Sequence, residues 1–152
     1  MKKRQNSISK ISFLSLMSLS LITGCVSMND DKSTSTQTSS TLQQGKWLVE
    51  DINNQGVIDR LQLVITFAED GRVFGFAGCN NFTGTYQITD QQLTMGPLAV
   101  TKKACIEAID KQENRFVATL SDINEFHIAE NGVLRLNAAD GRSITATLMT
   151  GE

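Results

Sequence analysis

The chain reads as a mostly-β (α+β) domain, a small antiparallel barrel or curled meander of about eight short strands with one inserted helix. Three observations point there. From residue 46 onward apolar residues recur at a spacing of two in short runs, as strands with one buried face require. Asp-Gly or Asn-Gly pairs at 70–71, 131–132 and 140–141 punctuate these runs, and such pairs favour hairpin turns. A single stretch, residues 104–120, contains neither Gly nor Pro and is rich in Ala, Glu, Lys and Gln, which reads as a helix. Closing the sheet on itself would remove exposed edges. An open sheet with the helix across one face is the alternative.

The first strand, Lys46–Ile52, begins around Trp47, and residues 61–67 alternate around Leu63, Ile65 and Phe67. Glu69-Asp70-Gly71 then turns the chain into residues 72–77, where Val73, Phe74 and Phe76 are the large apolar side chains. Residues 83–89 put Tyr86 and Ile88 on one face, and residues 93–95 continue the sheet until Gly96-Pro97 closes it. In the helix, Cys105, Ile109, Gln112, Phe116 and Leu120 follow one another at spacings of four, three, four and four, a single buried stripe. Glu107, Asp110, Lys111 and Glu113 then point mostly to solvent. Ile123–Ile128, residues 133–137 and residues 142–149 complete the strands, joined at Asn131-Gly132 and Asp140-Gly141.

The N-terminus carries a different signal. Lys2, Lys3, Arg4 and Lys10 precede an apolar stretch, residues 11–22, which ends in Leu21-Ile22-Thr23-Gly24-Cys25. That stretch falls short of the roughly 20 apolar residues a spanning helix needs and fits a cleaved signal peptide. A small-residue site before cysteine resembles the lipobox of bacterial lipoproteins, cut between Gly24 and Cys25. The resemblance implies a diacylglyceryl thioether and an amide-linked acyl chain on Cys25, and two or more chains hold a protein stably to a membrane. With Val26 and Ser27 after the cysteine rather than aspartate, the sorting pattern of Gram-negative lipoproteins implies the periplasmic leaflet of the outer membrane.

Residues 25–44 comprise the lipidated cysteine and a tether in which only Val26, Met28 and Leu42 are apolar. Such a segment buries too little to offset the entropy of ordering it, and as a flexible coil it would reach about 25 Å. Residues 45–152 form the one folded domain. Removing residues 1–24 leaves ten Lys and Arg against 16 Asp and Glu, a formal charge of −6. That excludes a basic nucleic-acid face. One histidine, His127, and no Cys/His clustering give no metal or haem pattern, and no cofactor is expected.

Taken together, Gly45-Lys46-Trp47, Thr66-Phe67, Asp70-Gly71-Arg72, Gly75-Phe76-Ala77-Gly78-Cys79-Asn80, Phe82-Thr83-Gly84-Thr85-Tyr86, Leu98-Ala99-Val100-Thr101, Ala104-Cys105, Glu113, Phe116 and Asp140-Gly141-Arg142 resemble the META domain over residues 45–149. With the lipobox in front, the chain is similar to lipoproteins of the HslJ heat-shock type. Ile106 departs from the pattern, since the family often carries proline after this cysteine. The resemblance implies a lipocalin-like antiparallel barrel with a helix. It also implies an association with envelope stress and antibiotic tolerance, and no established catalysis.

Cys79 and Cys105 are the chemically interesting pair. After export, two cysteines in one small domain are expected to form a disulfide, here pinning the helix to the sheet. The rival is a reactive thiol at the helix N-terminus. Gly78, Asn80 and Asn81 are a candidate ligand-binding loop, against a plain turn around the disulfide. Trp47, Phe67, Phe74, Phe76, Tyr86 and Phe126 either pack the core or line a ligand cavity. No catalytic residue is recognisable. The expected protein is a monomeric, non-catalytic, lipid-anchored envelope protein that binds another envelope component. The alternatives are a carrier of a small apolar ligand and a cysteine-dependent enzyme.

Overall fold

The computed structural model describes residues 41–149, so the expected signal peptide, the expected lipidation site Cys25 and most of the expected tether lie outside the described residues. In chain order the elements are β1 Lys46–Ile52, β2 Gln55–Gly56, β3 Val64–Phe67, β4 Arg72–Phe76, β5 Asn81–Thr89, β6 Gln92–Met95, β7 Ala99–Val100, α1 Glu107–Ser121, β8 Ile123–Ile128, β9 Val133–Ala138 and β10 Ser143–Leu148. Strands β1, β3, β4, β5, β6, β8, β9 and β10 pair antiparallel in that order, and β10 returns to β1. The result is a closed eight-stranded barrel. Strand β2 extends β1 in a hairpin and β7 lies against β5.

Two bulges explain why the alternation in the sequence is imperfect. In β1 the buried side chains are Trp47, Val49 and then Ile52, because the register against β10 slips between Val49 and Asp51. In β8 they are Ile123 and then Phe126, with a slip between Ile123 and Glu125. One extra residue in a strand moves the next side chain to the opposite face; the bulge therefore keeps Ile52 and Phe126 inside. Elsewhere strict alternation holds, with Ile65 and Phe67, Val73, Phe82 and Tyr86, Leu134 and Leu136, and Ile144 and Ala146 all buried.

Three hairpins share one turn. At 68–72, 129–133 and 138–142 the first residue donates its N–H to the last carbonyl at 2.8–2.9 Å and receives a bond from the glycine N–H at 2.8–3.1 Å. Gly71, Gly132 and Gly141 sit at φ of 79°, 80° and 87°, the left-handed position of a bulged hairpin loop that glycine occupies without steric cost. In two of them the arginine after the glycine closes the turn. The Nε groups of Arg72 and Arg142 reach Asp70 and Asp140 at 2.7 Å. Those hydrogen bonds hold both carboxyls below the ordinary Asp range.

The two ends of the barrel are closed differently. Helix α1 lies across one end: Asn53, at the end of β1, donates its Nδ2 to Thr119 Oγ1 at 3.0 Å, and Gln112 Oε1 accepts the Ile58 N–H at 2.8 Å. Phe116 meets Phe82 edge-on at 5.6 Å between centroids, and both are buried. At the other end Leu42 is fully buried. Its carbonyl accepts the Trp47 Nε1–H at 2.8 Å, and Gln43 donates to the Tyr86 hydroxyl at 2.8 Å. The segment from residue 41 therefore belongs to the folded domain, which corrects the tether boundary expected at residue 44. An isolated leucine in a polar run shows nothing of this in sequence. Leu42→Ala is expected to lower stability by about 2–3 kcal/mol, as other buried leucines do. Denaturant unfolding measures it, and a change within experimental error would return residues 41–44 to the tether.

Candidate functional site

Helix α1 starts at Glu107, three residues later than the composition suggests, and its N-cap is Ile106 at φ −69° and ψ 147°. Cys105 therefore precedes the helix instead of occupying its first turn. It is bonded to Cys79, with Cα atoms 6.4 Å apart, so the disulfide reading holds and the thiol at a helix N-terminus does not. Asp110 approaches the same place, its carboxylate and the two sulfurs lying within 4.8 Å of one another. While the bridge is intact, the sulfurs are not thiolate ligands.

Ile106 is 68% exposed, caps the helix with no side-chain bond, and donates no backbone bond among the described residues. Its φ is one that proline fixes. Ile106→Pro is expected to raise stability by about 0.5 kcal/mol by restricting the unfolded chain. A lower Tm would contradict this.

Beyond β4 the chain turns tightly through 77–80. Ala77 donates its N–H to the Asn80 carbonyl at 2.8 Å, and Gly78 stands at φ 104°. The turn directs the Cys79 and Asn80 amides at one acceptor, the Glu113 carboxylate, at 3.3 and 2.7 Å. Asn80 Nδ2 reaches the other carboxylate oxygen at 2.8 Å. The Asn80 side-chain carbonyl accepts from Thr101 Oγ1 at 3.1 Å and from the Lys103 N–H at 2.8 Å. Glu113 is only 8% exposed. It does not lie on a solvated face, as its place among Glu107, Asp110 and Lys111 suggested.

This network changes the reading of the candidate loop. Gly78, Cys79 and Asn80 are buried and Asn81 alone is exposed. Asn81 pairs instead with residue 101, donating its N–H to Thr101 Oγ1 at 3.1 Å and accepting the Thr101 N–H at 2.9 Å. Both ends of the Asn80 amide are engaged inside the protein. The loop is thus a fixed corner that joins β4, β7 and α1, with no polar group of Asn80 left over for a ligand.

Of the six aromatic candidates, Trp47, Phe67, Tyr86 and Phe126 belong to one core cluster. Phe67 and Tyr86 meet edge-on at 5.2 Å, so side chains occupy the barrel interior. Phe76 is half-buried, and Phe74 points outward at 38% exposure. His127 is exposed on β8.

Concave surface lies on the outside. A cleft of 420 Å³ runs between residues 100–103 and the helix face carrying Asp110, Glu113, Asn114 and Val117. Its walls are held by the disulfide and by the Glu113–Asn80–Thr101 bonds. Lys102, Lys103 and Asn114 stand exposed on its rim. Sequence reasoning missed this cleft, because residues 100–103 and 110–117 are brought together only by the fold.

The sequence model of the META domain matches residues 40–149. No curated protein matches the chain significantly. Solved structures share its fold, three of them as follows. A protein from Burkholderia xenovorans, solved by NMR, has a TM-score of 0.63 at 20% identity, covering 76% of this chain and 88% of that one. A second NMR structure of a protein has a TM-score of 0.58 at 25% identity, over 72% and 92%. The crystal structure of a DUF4847 family protein from Bacteroides vulgatus has a TM-score of 0.54 at 17% identity, over 76% and 99%.

Proposed function

The chain belongs to the META domain family, and from that premise we propose that it is a non-catalytic, lipid-anchored envelope protein whose barrel binds another envelope component under stress. The supporting observation is the outer cleft of 420 Å³, with rigid walls and a rim of Lys102, Lys103 and Asn114. A rigid concave surface loses little conformational freedom when a partner seats on it. The anchor rests on the lipobox at Gly24–Cys25, which lies outside the described residues. Among the described residues no helix is long and apolar enough to cross a membrane. A carrier of a small apolar ligand would need the interior that Trp47, Phe67, Tyr86 and Phe126 occupy.

Two measurements test the proposal. Cys25→Ser is expected to move the protein from the membrane fraction to the soluble one, and retention in the membrane would remove the anchor. A photo-crosslinking residue in place of Lys102, in the full-length protein in intact cells, is expected to give discrete adducts. The same residue in place of exposed Glu125 on β8 is the control. Equal labelling from both positions would reject the cleft as the binding surface.

A further inference from the structure

The outer face of β1, β3 and β4 is not the polar surface that a water-exposed sheet face normally presents. Leu48, Val64, Phe74 and Phe76 point outward there. Register places Leu48 beside Val64, Val64 beside Phe76, and Thr66 beside Phe74. Met149 adds to this face, and Phe74 and Met149 are 38% and 39% exposed. Val64, Thr66, Phe74, Phe76 and Met149, with neighbouring residues, line an open groove of 540 Å³.

Three features say what covers it. The groove lining contains no Asp or Glu, although the chain from Cys25 onward carries a formal −6. Two cations stand at its margin: Lys46 lines it, and the Arg72 guanidinium lies 5.9 Å over the Phe74 ring while also pairing with Asp70. An apolar patch edged by long cationic side chains suits the boundary between acyl chains and head groups, where those side chains can keep their charge in water. The third feature is position. The chain enters the barrel at Lys46 and leaves it at Met149, whose N–H bonds the Lys46 carbonyl at 2.8 Å. The groove thus borders the start of β1, five residues after Thr41, from which the chain leads back to Cys25.

We propose that this face docks the barrel onto the bilayer that holds its anchor. The inference rests on the lipid-anchor reading. Only 15 residues separate Cys25 from Thr41, so whatever their conformation the domain stays within about 55 Å of the membrane. That confinement corresponds to an effective concentration on the order of 1 mM. A contact too weak to recruit a free domain is populated under those conditions. Docking would also fix which side of the barrel faces away from the membrane.

The test uses the full-length lipidated protein in vesicles of phosphatidylethanolamine and phosphatidylglycerol, with and without lipids carrying a doxyl quencher. Phe74→Trp places a reporter on the face and His127→Trp places one on the exposed side of β8. Trp47, 1% exposed, is a common background measured in the wild type. Unchanged circular dichroism and Tm confirm that each variant folds. The expected result is a blue shift and about twofold quenching at position 74, with little at 127, as burial of an apolar face at the acyl boundary implies. Flotation with vesicles but equal quenching at both positions overturns the docking and leaves the anchor standing. Absence of lipid by mass spectrometry and failure to float overturn the anchor, and the docking with it. A blue shift without quenching, accompanied by a dimer mass, assigns the face to a second copy and also overturns the proposal.

Discussion

Glu113→Ala is expected to lower the stability of the domain by about 4 kcal/mol, because it removes the acceptor for three buried donors at once. The Cys79 and Asn80 amides and the Asn80 side chain all converge on this carboxylate at 2.7–3.3 Å. Hydrogen bonds to a charged group contribute about 1.5–3 kcal/mol each, and a buried donor left unpaired costs about 1–3 kcal/mol. The lower part of each range applies, because the hole left by the side chain is large enough to admit water. Glu113→Gln keeps one carbonyl oxygen but turns an NH2 group toward a donor, so about half the loss is expected. Denaturant unfolding measures both, and amide exchange at Cys79 and Asn80 should quicken selectively. An alanine variant within about 1 kcal/mol of wild type would show that the corner is held by other means.

Loss of the disulfide is the second large effect. Joining Cys79 to Cys105 closes a loop of about 27 residues, for which the chain-entropy relation gives roughly 3.5 kcal/mol at 25 °C. That loop contains all of β5, β6 and β7 and one wall of the cleft. The paired substitution Cys79→Ser and Cys105→Ser, or reduction of the native bridge, should lower stability by that amount while the far-UV spectrum keeps its β character. Both this change and Glu113→Ala act on residues 79 and 80, so their effects should not add. The expected coupling is about 1 kcal/mol, as for other groups that share one contact network. Strict additivity would mean that the carboxylate and the bridge hold the corner independently.

Much of the barrel was legible because its signals are local. The glycines at 71, 132 and 141 mark three hairpins of one geometry, and alternation picks out Leu63, Ile65 and Phe67, and Tyr86 of β5, as inward-facing. Where alternation slipped, at Glu50 and at Asn124, a bulge had inserted a residue. Nothing local distinguishes a bulge from a polar residue facing in. The short strands β2 and β7 were not legible either, since two-residue pairings depend on the partner strand. Two cysteines and the export that the N-terminal pattern leads one to expect were enough to expect the bridge between Cys79 and Cys105.

The candidate site was less legible than the barrel. Helical periodicity identified a buried stripe of Cys105, Ile109, Gln112, Phe116 and Leu120; the last three are buried, Ile109 is half-buried, and Cys105 is half-buried and precedes the helix. It placed Glu113 outside, because one position on a helical wheel says nothing about a loop arriving from residues 79–80. Asn80 looked open to a ligand, since Gly75, Gly78 and Gly84 bracket the segment 79–81. Its true surroundings come from Thr101, Lys103 and Glu113, which are 21, 23 and 33 positions away. Leu42 looked like part of a spacer because its burial depends on Trp47 and on the open end of the barrel.

By itself, then, the sequence of this META-domain chain determined the strand pattern, the turns, the helix inserted before β8 and the expectation of a bridged, anchored domain. These follow from φ preferences at glycine, side-chain alternation along a strand and cysteine chemistry, each a property of a few adjacent residues. Only the tertiary structure decided the closure of β10 on β1, the burial of Glu113 and Leu42, the cleft beside α1 and the apolar outer face around Phe74. Each of these depends on which distant segments meet, and the free energy that settles it comes from surface buried between them.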